Sequence, residues 1–198
     1  MKLPETFYQR YNVVKIAREL IGKGLFTKID EVITGGVIVE TEAYSWKERG
    51  CHAYGAKKTN RNAVMFEKGG HSYVYQCYGI HYLFNIVTND SNVADAVLVR
   101  AIEPLKGVDF MMARRGRLVH EYHLTSGPGK LTKALGIDRK WNGKLLSGNE
   151  IWLEDLGKRI SPVKIEASPR IGIDYAGEDS LLPWRFTLKG NPWLSKPT

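Results

Sequence analysis

Two hairpin patterns constrain the fold of this chain more than any other feature of its sequence. In the first, residues 25–29 and 32–44 have the pattern of strands joined by a short turn. In the second, residues 72–77 and 80–87 flank a Tyr-Gly turn. Strands that follow one another as hairpins are typical of antiparallel sheets, whereas a Rossmann sheet alternates strands with helices. The chain is therefore predicted to form an antiparallel sheet.

Periodicity and turn residues predict the remaining elements. Helices are expected at residues 11–22, 105–116 and 127–135, and further strands at residues 96–104, 150–154, 162–167 and 184–189. Pro104 is expected to end the strand that precedes it. The predicted fold class is α+β, a curved, open-barrel-like antiparallel sheet with peripheral helices, and residues 1–198 are predicted to form one domain.

The charge of the chain favours a polyanionic partner. Its 29 lysines and arginines outnumber its 21 acidic residues, which gives a net charge of +8. Few acidic residues separate the three basic groups, which are Lys57, Lys58 and Arg61; Arg114, Arg115 and Arg117; and Lys130, Lys133, Arg139, Lys140 and Lys144. Solvated surface faces are one reading, and contact with nucleic-acid phosphates, with Arg61 and Lys130 as the expected contacts, is the other.

The sequence predicts an intracellular protein that does not enter a membrane. Its apolar runs stay well short of the about 20 residues that a membrane-spanning helix needs. The N-terminal segment MKLPETFYQR lacks an apolar signal core. The two cysteines, Cys51 and Cys77, do not make a disulfide framework.

The segment VIVETEAY, residues 37–44, contains the first candidates for chemistry. Alternate side chains of a strand share a face, so Glu40, Glu42 and Tyr44 would lie together on one side. Two readings are open, an exposed face with two ordinary glutamates or a general base beside a stacking ring. A glutamate suits the second role because it is ionised at neutral pH and accepts a proton from water.

Arg100 interrupts the apolar segment AVLVRAIEP, residues 96–104. A charge in such a strand needs a partner or a function. One reading is a structural ion pair with Glu40, Glu42 or Glu103. The other is a cation that holds a catalytic carboxylate, or a water molecule beside it, in place.

Several other site chemistries lack their sequence motifs. The spacings of zinc sites and zinc deaminases, the serine-hydrolase elbow and the P-loop are absent, so neither a metal nor a cofactor is expected. The segment SGPGKLTKALG, residues 126–136, predicts a helix whose N-terminus and Lys130 could hold a phosphate. It also superficially resembles the hairpin of helix-hairpin-helix DNA-binding proteins, and a plain helix N-cap is the third reading.

An ordered set of short motifs covers nearly the whole chain: VETEAY (39–44), His52, TNRNAVMF (59–66), YVYQCYG (73–79), Asn85, VLVRAIEP (97–104), SGPGKL (126–131), PRIGIDYAGE (169–178) and KGNPWLS (189–195). Taken in this order, the motifs resemble those of the alkyladenine (3-methyladenine) DNA glycosylase family found in mammals and some bacteria. The resemblance implies an enzyme that flips 3-methyladenine, 7-methylguanine, hypoxanthine or ethenoadenine out of duplex DNA. It would hydrolyse the N-glycosidic bond and so start base excision repair.

By matching position, the resemblance implies the catalytic roles. Glu42 would be the general base that activates water, and Arg100 with the backbone of residues 97–99 would help to hold that water. No lysine lies within the matched catalytic strands. A Schiff-base lyase step is therefore not expected, and the enzyme would be monofunctional and leave an abasic site.

The resemblance also implies how a damaged base is bound. Tyr44 and Tyr75 would sandwich the flipped base, with His52 at its edge. Asn85 would line the pocket floor and reject the exocyclic amine of guanine. Tyr78 would wedge into the duplex where the base had been.

The chain departs from the family pattern around the wedge, where Ile80 and His81 replace bulkier residues, and at Tyr175, where a histidine is common. These differences bear on lesion preference and wedge geometry. The long polar N-terminal extension of animal members is missing, which favours a bacterial protein, a monomer in the cytoplasm or nucleoid whose partner is damaged double-stranded DNA. The alternatives are a non-catalytic nucleic-acid-binding module and an all-helical helix-hairpin-helix glycosylase.

Overall fold

The structure is a computed structural model that describes residues 1–116 and 119–196. Arg117 of the second basic group lies outside the described residues. The strands are β1 (Gly24–Ile29), β2 (Val32–Tyr44), β3 (Ser72–Cys77), β4 (His81–Thr88), β5 (Asp95–Lys106), β6 (Ile151–Glu154), β7 (Ile165–Ser168) and β8 (Arg185–Leu188). The α-helices are α1 (Glu5–Tyr8), α2 (Val13–Glu19), α3 (Val108–Arg115) and α4 (Pro128–Leu135). Short 3-10 helices span Tyr54–Ala56, Ala63–Phe66, Glu121–His123, Arg139–Trp141, Pro162–Lys164 and Asp174–Leu181.

All of these strands pair antiparallel in one sheet. Their order is β3-β4-β5-β2-β1-β6, while β8 pairs with β2 and β7 pairs with β8. No pairing among the described residues joins the two ends of this order, so the sheet is open. The predicted α+β class with an open antiparallel sheet is confirmed.

Strand β2 organises the sheet because it pairs with three neighbours. Its first half pairs with β1, its residues 40–42 pair with β8, and β5 runs along its other edge. The pairing with β5 shifts register at Gly36, where an added Cβ would lie 2.1 Å from the carbonyl oxygen of Glu103. A residue without a Cβ is therefore required at this irregularity in the strand.

Helix α2 covers one face of β2. The hydroxyl of Thr41 donates to the carbonyl oxygen of Ala17 in α2 at 2.8 Å. Ile16 of the same helix belongs to the main apolar core, together with Ile38 of β2 and Val99 of β5. Neighbouring side chains of a strand alternate in direction, so Glu42, which follows Thr41, points towards the opposite face of the sheet.

The structure corrects three details of the element predictions. Strand β5 continues through Pro104 to Lys106; at Pro104 it pairs with β2, whereas β4 pairs only with residues 95–98, and a proline is tolerated where one edge of a strand is free. Helix α3 begins only after Gly107, which has a φ of +71°. Residues 162–164 form a 3-10 helix rather than the start of a strand. Within the described part of the chain, no helix is both long and apolar enough to cross a membrane.

Candidate active site

A cavity of about 810 Å³ lies on the face of the sheet opposite α2. Strands β2 to β5 contribute Tyr44, Tyr75, Asn85 and Arg100 to its wall. The hairpin between β3 and β4, the N-terminus of α4 and the segment 171–175 complete it. Its size lies within the range of ligand pockets, and its lining mixes aromatic rings with a few converging polar groups.

Glu42 lies directly behind the cavity wall and is fully buried. Its Oε2 accepts from the Tyr44 hydroxyl at 2.8 Å and from Arg100 Nη1 at 3.2 Å. Its Oε1 accepts from the backbone N–H of Ile171 at 2.8 Å. The three donor residues all line the cavity, so the carboxylate is held at its inner end by groups that face the cavity. The alternative of an exposed glutamate face is wrong.

Glu40 is equally buried but belongs to a different set of contacts. Its Oε1 accepts from Arg100 Nε at 2.9 Å, from Arg185 Nε at 2.8 Å and from the Ser195 hydroxyl at 2.7 Å. Its Oε2 accepts from the Ser195 backbone N–H at 2.6 Å. The Arg100 guanidinium therefore forms ion pairs with both Glu40 and Glu42, as its structural reading predicts.

The charges of this cluster balance, since two carboxylates face the guanidinium groups of Arg100 and Arg185. Burial alone lowers the pKa of Arg100, whereas the carboxylates of Glu42 and Glu40 raise it, and its net pKa lies above the ordinary value. Arg100 therefore remains a cation next to Glu42.

Aromatic rings form one wall of the cavity. The His52 and Tyr75 rings meet edge to face, with centroids 4.5 Å apart, and the Tyr73 ring lies 5.4 Å from Tyr75. His52 Nδ1 and the Tyr73 hydroxyl share a hydrogen bond of 2.9 Å. Desolvation of the ring beside Tyr73 and Tyr75, and then the charge of Arg61, lower the pKa of His52 to about 4, so this imidazole is neutral near pH 7.

Asn85 lies on the central strand of the β3–β4–β5 part of the sheet. It is 4% exposed, and its Nδ2 donates to the carbonyl oxygen of Tyr73 at 3.1 Å. Because it also lines the cavity, its amide presents polar atoms at an otherwise apolar inner surface. The sequence-predicted pocket residues Tyr44, His52, Tyr75 and Asn85 are thus brought to one cavity.

Tyr78 projects from the tip of the β3–β4 hairpin and is 89% exposed. Tyr78 and Gly79 both have positive φ, +50° and +70°. A tyrosine in this conformation is uncommon, and the turn directs its ring away from the body of the sheet to the rim of the cavity.

Cationic side chains line the same cavity. The Arg61 guanidinium lies 5.3 Å from the centroid of the Tyr75 ring, and Arg61 Nη2 donates to the carbonyl oxygen of Gln76. Lys130 stands in the first turn of α4, and burial together with the charge of Arg115 lowers its pKa. The predicted phosphate contacts Arg61 and Lys130 therefore lie beside the aromatic wall and beside the hairpin tip.

Comparison with known proteins agrees with this site. Residues 6–192 match the methylpurine-DNA glycosylase family. A relative from Chlamydia felis is 47% identical over 94% of this chain and 95% of its own length. Relatives from Carboxydothermus hydrogenoformans and Bacillus cereus are 46% and 40% identical, and each alignment covers 99% of this chain and 100% of the relative. All three are provisionally named 3-methyladenine DNA glycosylases.

The chain belongs to the methylpurine-DNA glycosylase family. It is a DNA glycosylase, an enzyme that hydrolyses N-glycosidic bonds in DNA, and its family places it in base excision repair. The sequence resemblance to this family is confirmed.

The glycosylase also contains a buried support that the sequence did not reveal. The Arg170 guanidinium lies 4.7 Å from the centroid of the Tyr44 ring and 5.2 Å from that of Trp184. It forms a bidentate ion pair with Glu48, with distances of 2.6 and 2.8 Å, and it donates to the carbonyl oxygen of Ala43. Arg170 does not line the cavity, so it supports Tyr44 from behind.

Three further residues of the glycosylase escaped sequence reasoning, namely Glu48, Arg185 and Ser195. Arg170 and Ser195 fall within motifs that supported the family resemblance, but nothing local indicated what they contact. Ser195 lies 155 positions from Glu40 along the chain. Strand periodicity reports only which neighbours share a face, so it cannot identify such partners.

Proposed function

We propose that this glycosylase flips alkylated or deaminated purines out of duplex DNA and releases them by attack of a water molecule activated by Glu42. The substrates are 3-methyladenine, 7-methylguanine, hypoxanthine and ethenoadenine. The observation that carries the proposal is a buried carboxylate, Glu42, whose three donor residues all line an aromatic cavity.

The location of the hydrogen-bond donors distinguishes Glu42 from Glu40 as the base. A carboxylate offers about four acceptor positions, two on each oxygen. Glu40 accepts three bonds at Oε1 and one at Oε2, and only one of its donor residues, Arg100, lines the cavity. Glu42 accepts from three donors, and its fourth position can take a hydrogen bond from the attacking water.

The reaction follows from that contact. The oxygen of the water bonds to C1′ of the deoxyribose, and the electrons of the N-glycosidic bond leave with the purine. A cationic alkylated purine leaves as a neutral base, whereas a neutral purine takes up a proton from solvent as it leaves. Glu42 takes the proton from the water, and its charge stabilises the positive charge that develops on the sugar. The products are a free base and an abasic site. Arg100, which stays cationic, holds Glu42 and the water in place.

Tyr44 and Tyr75 are proposed to hold the flipped base between their rings, with His52 at its edge. Base–aromatic stacking contributes about 1–3 kcal/mol per base with little demand on base identity. Alkylated purines are often cationic, and an electron-rich aromatic slot favours cations. Asn85 supplies selectivity at the inner surface, where its amide rejects the exocyclic amine of guanine.

Tyr78 is proposed to fill the space that the base leaves in the duplex. Flipping costs a few kcal/mol, and least for a damaged or mispaired base. An inserted side chain offsets part of this cost. Arg61 and Lys130 are proposed to contact the phosphates that flank the lesion, because both are cations at the cavity.

Release of each lesion from duplex DNA tests the proposal. Wild-type protein is incubated with duplexes that contain 3-methyladenine, 7-methylguanine, hypoxanthine or ethenoadenine, and alkali then reveals abasic sites by strand cleavage. We expect release of at least one of these bases, and cleavage only after alkali because the enzyme has no lyase step. Intact strands for every lesion would reject the substrate assignment.

The role of Glu42 is tested separately with Glu42→Gln. The amide keeps the side-chain shape but cannot take a proton, so we expect the single-turnover rate to fall by about 100-fold or more. Glu67→Gln, which changes an exposed glutamate outside the cavity, is the matched control and should keep the wild-type rate. Full activity of Glu42→Gln would exclude Glu42 as the base.

We also propose that residues 1–198 act as one domain and as a monomer, in the cytoplasm or nucleoid of a bacterium. The matched relatives are bacterial, and the family match runs through residues 6–192. Sedimentation of the free protein and of its complex with a lesion duplex tests the stoichiometry, and one protein per lesion is the expected result.

A further inference from the structure

We propose that Ser195 is a positioning residue that sets the orientation of the Arg100 guanidinium, and that it acts together with Glu40. This inference rests on the proposed function, because Arg100 influences the reaction through its contact with Glu42. Neither Ser195 nor Glu40 lines the cavity. Their effect on catalysis would therefore pass through Arg100 rather than through the bound base.

Each nitrogen of the Arg100 guanidinium has an acceptor. Nε donates to Glu40 at 2.9 Å, Nη1 donates to Glu42 at 3.2 Å, and Nη2 donates to the Ser195 hydroxyl at 3.3 Å. Nε also lies 3.4 Å from that hydroxyl. Glu40 and Ser195 thus hold two nitrogens, and only one nitrogen reaches Glu42.

This division matters because arginine and carboxylate groups prefer two parallel hydrogen bonds. Without the Ser195 hydroxyl, Nη2 has no acceptor and Glu40 loses one of its four donors. The guanidinium can then turn towards Glu42 and donate to it twice. The second bond would occupy the acceptor position of Glu42 that the attacking water needs.

Other contacts hold the segment around Ser195, so its hydroxyl can be removed without releasing the segment. The Trp193 ring is buried in the main core and meets the Tyr122 ring at 5.3 Å. The carbonyl oxygen of Lys196 accepts from Arg185 Nη2 at 2.7 Å. The backbone N–H of Ser195 still donates to Glu40 at 2.6 Å when the side chain is alanine.

The test compares Ser195→Ala with wild type in single-turnover excision of the best substrate. We expect the maximal rate to fall about 10-fold, as loss of one hydrogen bond to a charged group would produce. The enzyme concentration that gives half of this rate should stay unchanged, because base binding is not altered. Ser195→Thr keeps a hydroxyl at this position and should restore most of the rate.

Ser168→Ala is the matched control, because the Ser168 hydroxyl accepts from Arg185 Nη1 at 3.2 Å in the same buried cluster. This variant removes a hydroxyl that is bonded to Arg185 and leaves the contacts of Arg100 in place. Its maximal excision rate should therefore stay within about twofold of wild type. Equal rate losses for both alanine variants, or a full rate in Ser195→Ala, would overturn the inference. A threonine variant as slow as alanine would do the same.

The two proposals fail in different ways. If wild type releases a lesion and Glu42→Gln is inactive, but Ser195→Ala behaves as Ser168→Ala does, then only the positioning role is wrong. If wild type releases none of the tested bases, the proposed function fails and the positioning role falls with it.

Discussion

At the scale of single residues, Glu40 and Glu42 differ in their hydrogen-bond partners although their burial is the same. Glu40 and Glu42 are both fully buried on β2. The contacts of Glu40 lie within the buried cluster around Arg185 and Ser195, whereas those of Glu42 lead to the cavity. Identity and burial therefore do not distinguish the two glutamates, and we infer the general base from the contacts of Glu42 with residues that line the cavity.

Replacement of Tyr78 tests the wedge at the hairpin tip. In Tyr78→Ala, we expect excision of a base-paired lesion to fall by about 10-fold, because a stacked ring contributes about 1–3 kcal/mol. Affinity for undamaged duplex should change much less. Tyr11→Ala removes another exposed tyrosine, outside the cavity, and is the matched control. Equal losses of excision and of undamaged-DNA affinity would contradict the wedge role.

The pKa of His52 is a second prediction at this scale. Its value of about 4 reflects desolvation of the ring by its aromatic neighbours and then the charge of Arg61. NMR titration of Arg61→Gln should show a higher pKa for His52, since removal of a nearby cation favours the protonated ring. Lys57→Gln, which removes a neighbouring exposed cation, should leave it near 4. An unchanged His52 pKa in Arg61→Gln would reject this electrostatic coupling.

The lowered pKa of His52 also makes the free energy of unfolding depend on pH. The unfolded chain has an ordinary histidine pKa of about 6.5 and therefore binds the proton first as the pH falls. The contribution of His52 to the free energy of unfolding is complete above about pH 6.5 and declines from there to about pH 4. At neutral pH, we therefore expect His52 to contact the proposed cationic base without adding a second positive charge beside it.

At the scale of elements, the segment 169–173, which directly follows β7, contacts the end of β2 that contains Glu42 and Tyr44. Its Arg170 side chain supports Tyr44, and the next backbone N–H, of Ile171, donates to Glu42. One short segment thus places both the proposed stacking ring and the proposed base. The Arg170 and Glu48 side chains are 0% and 4% exposed, so this support depends on a buried ion pair.

Glu48→Ala tests that ion pair. It leaves Arg170 buried without its carboxylate, and we expect the free energy of unfolding to fall by about 3–5 kcal/mol. Glu31→Ala breaks the exposed ion pair with Lys28, in which the Glu31 side chain is 89% exposed. That control should cost at most about 1 kcal/mol. Urea denaturation measures both, and similar losses would show that the buried pair has no special structural role.

At the scale of the whole molecule, some of the cations that give the chain its net charge of +8 line the cavity. Arg61, Arg115 and Lys130 contribute to its lining, whereas Glu42 lies behind the wall. A duplex that docks Tyr78 would bring its phosphates to these cations. We therefore expect the position of the positive charge, rather than its total, to orient the DNA.

The salt dependence of duplex binding measures these contacts. Each phosphate contact that is lost should reduce the slope of log K against log salt concentration by about 1. We expect this reduction for Arg61→Ala and for Lys130→Ala. Lys28→Ala, which removes a cation that pairs with Glu31 and does not line the cavity, should keep the wild-type slope. Unchanged slopes for all three variants would exclude the proposed phosphate contacts.

Much of the fold could be predicted from local patterns. The hairpin around Tyr78 and Gly79 and the long strand β2 follow from alternation and turn residues, which act over a few positions. Helix α2 is shorter than the predicted residues 11–22, and β5 passes through Pro104. The helix starts after Asn12, whose side chain caps it by accepting from the backbone N–H of Lys15, whereas β5 continues because β2 pairs with it as far as Lys106.

The sequence by itself determined the antiparallel class, the family and several of the residues that line the cavity, because each depends on local periodicity or on ordered motifs. Only the tertiary structure decided that Glu40 and Glu42 are both buried, that Ser195 completes the contacts of Arg100, and that Arg170 supports Tyr44. These contacts join residues that are distant along the chain, as Glu40 and Ser195 are. A hydrogen bond between such residues depends on how the sheet brings their strands together, which no local pattern encodes.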